Sequence, residues 1–242
     1  MTEGFVLAVE TATQTGSVAI VSREKLVAEI TLAVGLTHGE RVLGAIDRVL
    51  QDAGMGVADL AGLAVSAGPG SFTGLRIGLA TVKGLAEAHP LPVAAVPTLE
   101  ALAWNVAAAA HPVAAILDAK KGEVYGVLLA WEEDRAGWRP LIEEGSFTPE
   151  DFGDRVAATP GPLLLLGEGA LAYRRIFEAR VGTRARFMPG PVGQPRAAWV
   201  GWLGLERIAR GEVEDPVTLV PRYLRPSEAE RARARRIAGG LG

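Results

Sequence analysis

Apolar and polar positions along the chain follow two periods in turn. Phe5 to Glu10 is apolar up to its last residue, as a buried strand is, and ends on an acid. Thr11 to Gly16 is a polar turn, Ser17 to Val21 alternates as a second strand, and Leu26 to Leu32 follows the charged tip Arg23-Glu24-Lys25 as a third. From His38 to Asp52 the period becomes helical: Leu43, Ile46 and Leu50, with Val42, Ala45 and Val49, give a wide apolar face, and Gly54 is its stop. Leu60 to Ser66 is again an apolar strand. A Gly-rich run then leads into a helix over Phe72–Ala88, which Pro90-Leu91-Pro92 ends. Val93 to Val96 is a strand, and Thr98 caps a helix predicted to reach Ala110.

The second half repeats this order. Val113–Leu117 runs into Asp118 and the turn Lys120-Lys121-Gly122. Strands follow at Val124–Trp131 and Arg139–Phe147, then a helix opened by Thr148-Pro149-Glu150. A strand at Leu163–Leu166, a helix at Ala170–Arg180, a short strand at Arg186–Met188 and an amphipathic helix at Ala197–Arg210 complete it, with Gly211 as the stop. Three strands in a meander followed by β-α crossovers make a mixed sheet with helices on its faces. The chain therefore reads as α/β, two βββαβα-type halves joined near Ala110, a repeat seen in element order and not in matching letters. The predicted organisation is a first lobe over residues 1–110, a smaller lobe over 111–196, the helix over 197–210 packing back on the first lobe, and a partly flexible extension over 211–242. Within that extension Glu212–Pro226 is irregular and Glu228–Ile237 is a short charged helix or a disordered tail.

Composition narrows the chemistry. A chain of 242 residues with 49% apolar content has material for two small cores. It has no cysteine, which excludes disulfides, thiolate metal sites and a cysteine nucleophile. The N-terminus lacks the basic head and apolar core of a signal peptide, and no apolar run reaches the roughly 20 residues that span a bilayer. A cytoplasmic protein without a membrane partner is expected. The net charge of −3 does not make the whole chain a nucleic-acid glove. The tail is the exception: Arg231, Arg233, Arg235 and Arg236, after Arg222 and Arg225, are either a solvated terminus or a contact for RNA or an acidic partner.

Three groups of residues could carry chemistry. Each half opens with a strand ending in an acid and a polar, Gly-containing turn. These are Glu10, Thr11, Thr13 and Gly16 in the first half and Asp118, Lys120 and Gly122 in the second. Two such hairpins facing each other could grip a nucleotide, with carboxylates for Mg²⁺, or be ordinary turns. The run Gly68-Pro69-Gly70-Ser71-Phe72-Thr73-Gly74 can turn tightly at Gly68 and Gly70 and cap a helix with Ser71. Its free N–H groups suit an anion, yet it is neither a Walker loop nor a dinucleotide fingerprint. Gly74, Gly78, Thr81 and Leu85 then form a strip that lets another backbone come close, either the protein's own or a partner's. The three histidines, His38, His89 and His111, include no i, i+4 metal pair, and Gly-x-Ser-x-Gly does not occur.

Leu7-Ala8-Val9-Glu10-Thr11-Ala12-Thr13, Gly68 to Gly78 and Leu117 to Tyr125, with Pro221-Arg222-Tyr223-Leu224-Arg225, resemble the TsaB (YeaZ) family of bacterial factors for threonylcarbamoyladenosine on tRNA. The match runs through almost the whole chain in order. The resemblance implies a two-lobed actin-like ATPase fold (ASKHA, RNase H-like). It implies a non-catalytic scaffold for TsaD, the subunit that modifies the adenosine next to the anticodon of tRNAs reading ANN codons. TsaE, a P-loop ATPase, joins as a second partner, and tRNA is met indirectly. It also implies that the first two helices carry the interface, here His38, Arg41, Val42, Ala45, Val49, Gly74, Gly78, Thr81 and Leu85, with a homodimer through the same face as an alternative. Where the family usually has Asp, this chain has Glu10, and no cofactor is expected. The competing readings are an actin-like ATPase or phosphotransferase, which rests on Glu10 and Asp118, and a glycoprotease-like peptidase.

Overall fold

The computed structural model describes residues 4–33 and 38–225; the side chains of Ala33 and 38–40, including His38, lie outside the described residues. So do the arginine run and the helix expected over Glu228–Ile237.

Among the described residues, ten strands form two five-stranded mixed sheets of the same topology. The first half contributes β1 (Val6–Glu10), β2 (Thr15–Val21), β3 (Leu26–Ala33), α1 (His38–Ala53), β4 (Gly62–Gly68), α2 (Phe72–Ala88), β5 (Val93–Pro97) and α3 (Thr98–Ala103). The second contributes β6 (Val113–Lys120), β7 (Glu123–Glu132), β8 (Gly137–Phe147), α4 (Pro149–Ala157), β9 (Leu163–Leu166), α5 (Glu168–Ala172), α6 (Arg174–Val181), β10 (Ala185–Phe187) and α7 (Ala197–Ala209). The orders β3-β2-β1-β4-β5 and β8-β7-β6-β9-β10 are the same walk, so the repeat inferred from element order is present in space.

Strand parity assigns each sheet its two faces. Leu7, Val9, Val18, Ile20, Leu63 and Val65 point to one side and are covered by α1 and α2. Val6, Ala8, Ala19, Val21 and Ala64 point to the other, which α7 covers. The α7 side is lined with alanines, and a Cβ on Gly204 would stand 2.4 Å from that of Ala64, so helix and sheet touch almost backbone to backbone. Arg196, just before α7, pairs with Glu29 on β3, whose carboxylate also accepts from Ser17 Oγ and Ala198 N. In the second sheet, Ile116, Val124 and Leu128 meet Phe152 of α4 and Phe177 of α6, while Leu117, Val127 and Leu129 meet Leu99 and Leu102 of α3. The closing helix of each half thus packs on the other half's sheet.

All five tryptophans of the chain gather where these helices meet. Trp104 lies within 5.6 Å, centroid to centroid, of Trp131, Trp199 and Trp202, and Trp138 is 5.1 Å from Trp131. This cluster ends α3 early. The helix predicted to reach Ala110 stops at Ala103 and tightens into a 3₁₀ turn at Trp104–Val106. Asn105 there donates to the carbonyls of Val192 and Gln194 at 2.8 and 2.7 Å. Tertiary partners have overridden a run of alanines with high helix propensity. No helix among the described residues is long and apolar enough to cross a membrane.

Candidate functional site

The first hairpin and the Gly-rich run come together at the carboxyl end of β1. The parallel register Val9↔Val65 places Glu10 beside Ser66 on β4. Glu10 is fully buried. One carboxyl oxygen takes the Ser66 hydroxyl and the other takes the N–H of Ala12 at 2.5 Å. Burial pushes its pKa up to about 8, against the Ala12 bond, which pulls it down. At neutral pH this group is a carboxylic acid, shut away from solvent. Ser66 was not among the predicted site residues; the signal for it is a lone hydroxyl in an apolar strand, one register step beyond the β1 pairing.

Thr11 and Thr13 are buried rather than displayed. The Thr11 hydroxyl donates to the Gly74 carbonyl at 2.8 Å, and that of Thr13 closes a local turn with Thr15. Thr15 and Gly16, read as turn from sequence, are the first residues of β2. Ser71 caps α2, accepting from Gly74 N at 3.3 Å, and its own N–H donates to the Ala12 carbonyl at 2.6 Å. Gly68 has φ +116°, and a Cβ on Gly70 would meet the Ala12 carbonyl oxygen at 2.4 Å. The Gly-rich run is therefore seated on the first hairpin, and the Ser71 N–H that an anion would need is already given to Ala12.

The strip on α2 faces the same way. A Cβ on Gly74 would lie 2.0 Å from the Thr11 carbonyl oxygen, and one on Gly78 would lie 2.3 Å from Thr11 Oγ1. The close backbone approach made by Gly74 and Gly78 is to the protein's own β1 end. Val42, Ala45 and Val49 are likewise buried, in the core between α1, α2 and the sheet, because the apolar stripe of α1 is consumed there. Thr81 and Leu85 are half-buried, and Thr81 Oγ1 returns to the Ile77 carbonyl of its own helix. Of the expected interface residues, Arg41 is exposed. The outer surface of these adjacent helices holds Leu43 instead, 56% exposed, with Gly44 on α1 and Gly84 on α2, where a Cβ would meet nothing within 4 Å.

The second hairpin closes on itself. Lys120 and Lys121 have φ of 61° and 58°, which Gly122 follows with 76°. Asp118 accepts from the backbone N–H of Lys120 at 2.8 Å, from its ammonium at 2.7 Å and from Tyr173 Oη at 3.4 Å. That bond raises the Lys120 pKa. Burial raises Glu168, which Lys120 opposes and Asp118 reinforces, and burial and then Asp118 raise Tyr173. A Mg²⁺-nucleotide, as actin-like folds bind, requires open carboxylates and free N–H groups. Here Glu10 is enclosed and its pKa is pushed up to about 8, Asp118 is paired with Lys120, and within the Gly-rich run the Ser71 N–H is given to Ala12 and the Gly74 N–H to Ser71. These residues do not fit such a group. Among the described residues no three of His, Asp and Glu stand together as metal ligands.

Comparison with known proteins places this geometry. Residues 33–136 match the family model described as TsaD: tRNA N6-adenosine threonylcarbamoyltransferase. The tRNA threonylcarbamoyladenosine biosynthesis protein TsaB of Bacillus subtilis is 30% identical over 225 residues, covering 93% of this chain and 96% of that one. The solved structure of YeaZ from Pseudomonas aeruginosa superposes with a TM-score of 0.76 at 29% identity, over 91% of this chain and 100% of that one. The ROK hexokinase of Thermus thermophilus, at a TM-score of 0.51 and 13% identity over 86% of this chain and 100% of that one, shares the two-lobed actin-like fold alone. On the extent and identity of these matches, the chain belongs to the TsaB family of tRNA threonylcarbamoyladenosine biosynthesis proteins.

Proposed function

We propose that the chain is a non-catalytic subunit of the tRNA-modifying machinery, and that it binds a TsaD-type catalytic subunit through the outer face of α1 and α2. The observation that carries this reading is the pair of solvent-facing glycines, Gly44 and Gly84, beside the exposed Leu43 on two adjacent helices. Mid-helix glycine costs about 1 kcal/mol relative to alanine, and neither glycine makes room for the protein's own chain. A partner helix that must approach closely accounts for both. TsaE and tRNA then meet the assembly through the catalytic subunit, and a homodimer through the same face competes with it.

The reading without catalysis is supported by the enclosed Glu10, the Asp118–Lys120 pair and the Ser71 N–H given to Ala12, none of which is open toward a Mg²⁺-nucleotide. An ATPase or phosphotransferase would need the opposite arrangement. The experiment is co-purification with the TsaD-type subunit of the same organism, together with reconstitution of the tRNA modification. Leu43→Glu and Gly84→Arg are expected to melt as the parent does yet to lose the complex and the modification. Full-strength binding by both folded variants would remove this face from consideration, and micromolar Mg-ATP binding by the isolated chain would reinstate the enzyme reading.

A further inference from the structure

After α7 the chain returns along the first lobe from Glu212 to Arg225 without regular structure. It is pinned there repeatedly. Glu214 N donates to the Val93 carbonyl at 2.8 Å, Leu219 is buried in the core under α1 and α2, and Arg222 N donates to the Ala67 carbonyl at 2.7 Å. The contact with β4 is close: a Cβ on Gly68 would stand 2.6 Å from the Arg222 carbonyl oxygen. The Tyr223 ring stacks on Phe72 at 4.9 Å, at the first turn of α2. Arg76 completes the stack, lying 3.8 Å from the Phe72 centroid and donating to Tyr223 Oη at 3.1 Å.

The two arginines of this segment point to the other lobe. Arg222 Nη2 lies 3.3 Å from Glu144 Oε1 on β8. Arg225 donates to Glu123, the first residue of β7 after the turn at Gly122. Ser146 of β8 shares that carboxylate. A single short segment is thus bonded to the end of β4, where the Gly-rich run begins, and to the base of the second hairpin.

We propose that residues 221–225 form a releasable clasp, which ties the second lobe to the Gly-rich run of the first and, in addition to the α3 and tryptophan packing, limits how far the two lobes part there. Its two ends differ in strength. On the first lobe it is held by the main-chain bond from Arg222 to Ala67 and the Tyr223–Phe72 stack, with the buried Leu219 anchoring the chain just before it. On the second it is held by two side-chain ion pairs: Arg222, 56% exposed, with Glu144, and Arg225, 13% exposed, with Glu123; the exposed Arg222 pair is the weaker of the two. Glu144 Oε1 is buried yet accepts no hydrogen bond, so Arg222 compensates its charge without holding it by an aligned bond. The second-lobe end therefore opens from the Arg222–Glu144 pair, with the segment staying bonded to β4. This proposal stands apart from the partner reading above, since it concerns contacts within one chain.

The absence of cysteine makes the test direct. Thr73→Cys and Glu150→Cys, both at exposed positions, place one spin label on each lobe of the full chain. In the parent a narrow distance distribution is expected. In Arg222→Ala/Arg225→Ala it is expected to broaden and shift outward while the thermal melt stays cooperative. Glu123→Gln/Glu144→Gln cuts the same pairs from the opposite side and is expected to broaden the distribution likewise, so failure of one pair of variants to fold leaves the other as the test. An unchanged narrow distribution in a folded variant of either kind overturns the clasp.

Discussion

Thr11 and Gly74 meet across the end of β1 in two ways. The Thr11 hydroxyl donates to the Gly74 carbonyl at 2.8 Å, and the Thr11 carbonyl oxygen occupies the space 2.0 Å from where a Cβ on residue 74 would be. The Gly-rich run therefore serves first as a seat for the first hairpin.

That contact distinguishes two glycines one turn apart. Gly78 would clash with the Thr11 side chain, at 2.3 Å, and Gly74 with its backbone. Overpacking of this kind costs about 1–3 kcal/mol, and more where the opposing atom cannot move. Gly78→Ala is expected to lose most of its cost in a Thr11→Ala background, whereas Gly74→Ala keeps its cost there. A double-mutant cycle by urea unfolding measures this. Equal losses for Gly78→Ala in both backgrounds would refute the contact.

Gly84, on the same helix, should behave in the opposite sense. Its missing Cβ faces open space, so Gly84→Ala gains helix propensity without a clash. A stabilisation of up to about 1 kcal/mol is expected. A loss of stability in the isolated chain would mean that this glycine is required by the fold and is not spare for a partner.

Val42 and Leu43 make the same division on α1. Val42 is 4% exposed and Leu43 is 56% exposed. A carboxylate at position 42 enters the core unpaired, and Val42→Glu is expected to cost more than about 3 kcal/mol. Leu43→Glu should leave the melting curve within about 0.5 kcal/mol of the parent, as surface changes do. Calorimetry of the two isolated variants decides it.

These contrasts show where reading the sequence runs out. The bounds of α1 and α2 follow from period and caps: Ser71 caps α2, Ala88 is its last residue, and the prolines at 90 and 92 follow. That Gly74 and Gly78 admit a close neighbour was legible too. Which neighbour it is depends on the crossover from β4 through α2, which brings residue 74 back onto residue 11 and has no local signature. The apolar face of α1 is wider than the sheet can cover, so period alone could not rank Val42 over Leu43. The early end of α3 depends on Trp104 and Asn105 meeting residues about 90 positions later. Arg222 and Arg225 read as part of a basic tail, because Glu144 and Glu123 stand roughly 80 to 100 positions earlier in the chain.

The enclosed carboxyl of Glu10 gives the chain a pH dependence with a definite sign. Its folded-state pKa, about 8, lies above the ordinary 4.5, so the folded protein keeps a proton that the unfolded chain has released. Stability from this group is complete below pH 4.5 and is lost as the pH rises through about 8. At about 1.4 kcal/mol per pH unit of separation, the loss amounts to roughly 3–5 kcal/mol. Glu144 acts in the same direction up to about pH 7, because burial raises it, Arg222 opposes, and Glu100 and Glu143 reinforce. Glu10→Gln is nearly the shape of the protonated acid and cannot ionise. Its amide can accept from Ala12 N and pair with Ser66 as the acid does. The variant is expected to match the parent near pH 5, to exceed it by several kcal/mol at pH 8.5, and to retain the shallower slope left by Glu144 and Glu168. Urea unfolding at a series of pH values reads all three. A parent whose stability rises between pH 5 and 8 while Glu10→Gln shows the same rise would mean that Glu10 is ionised in the folded protein, and the carboxyl end of β1 would then have to be reconsidered as a cation site.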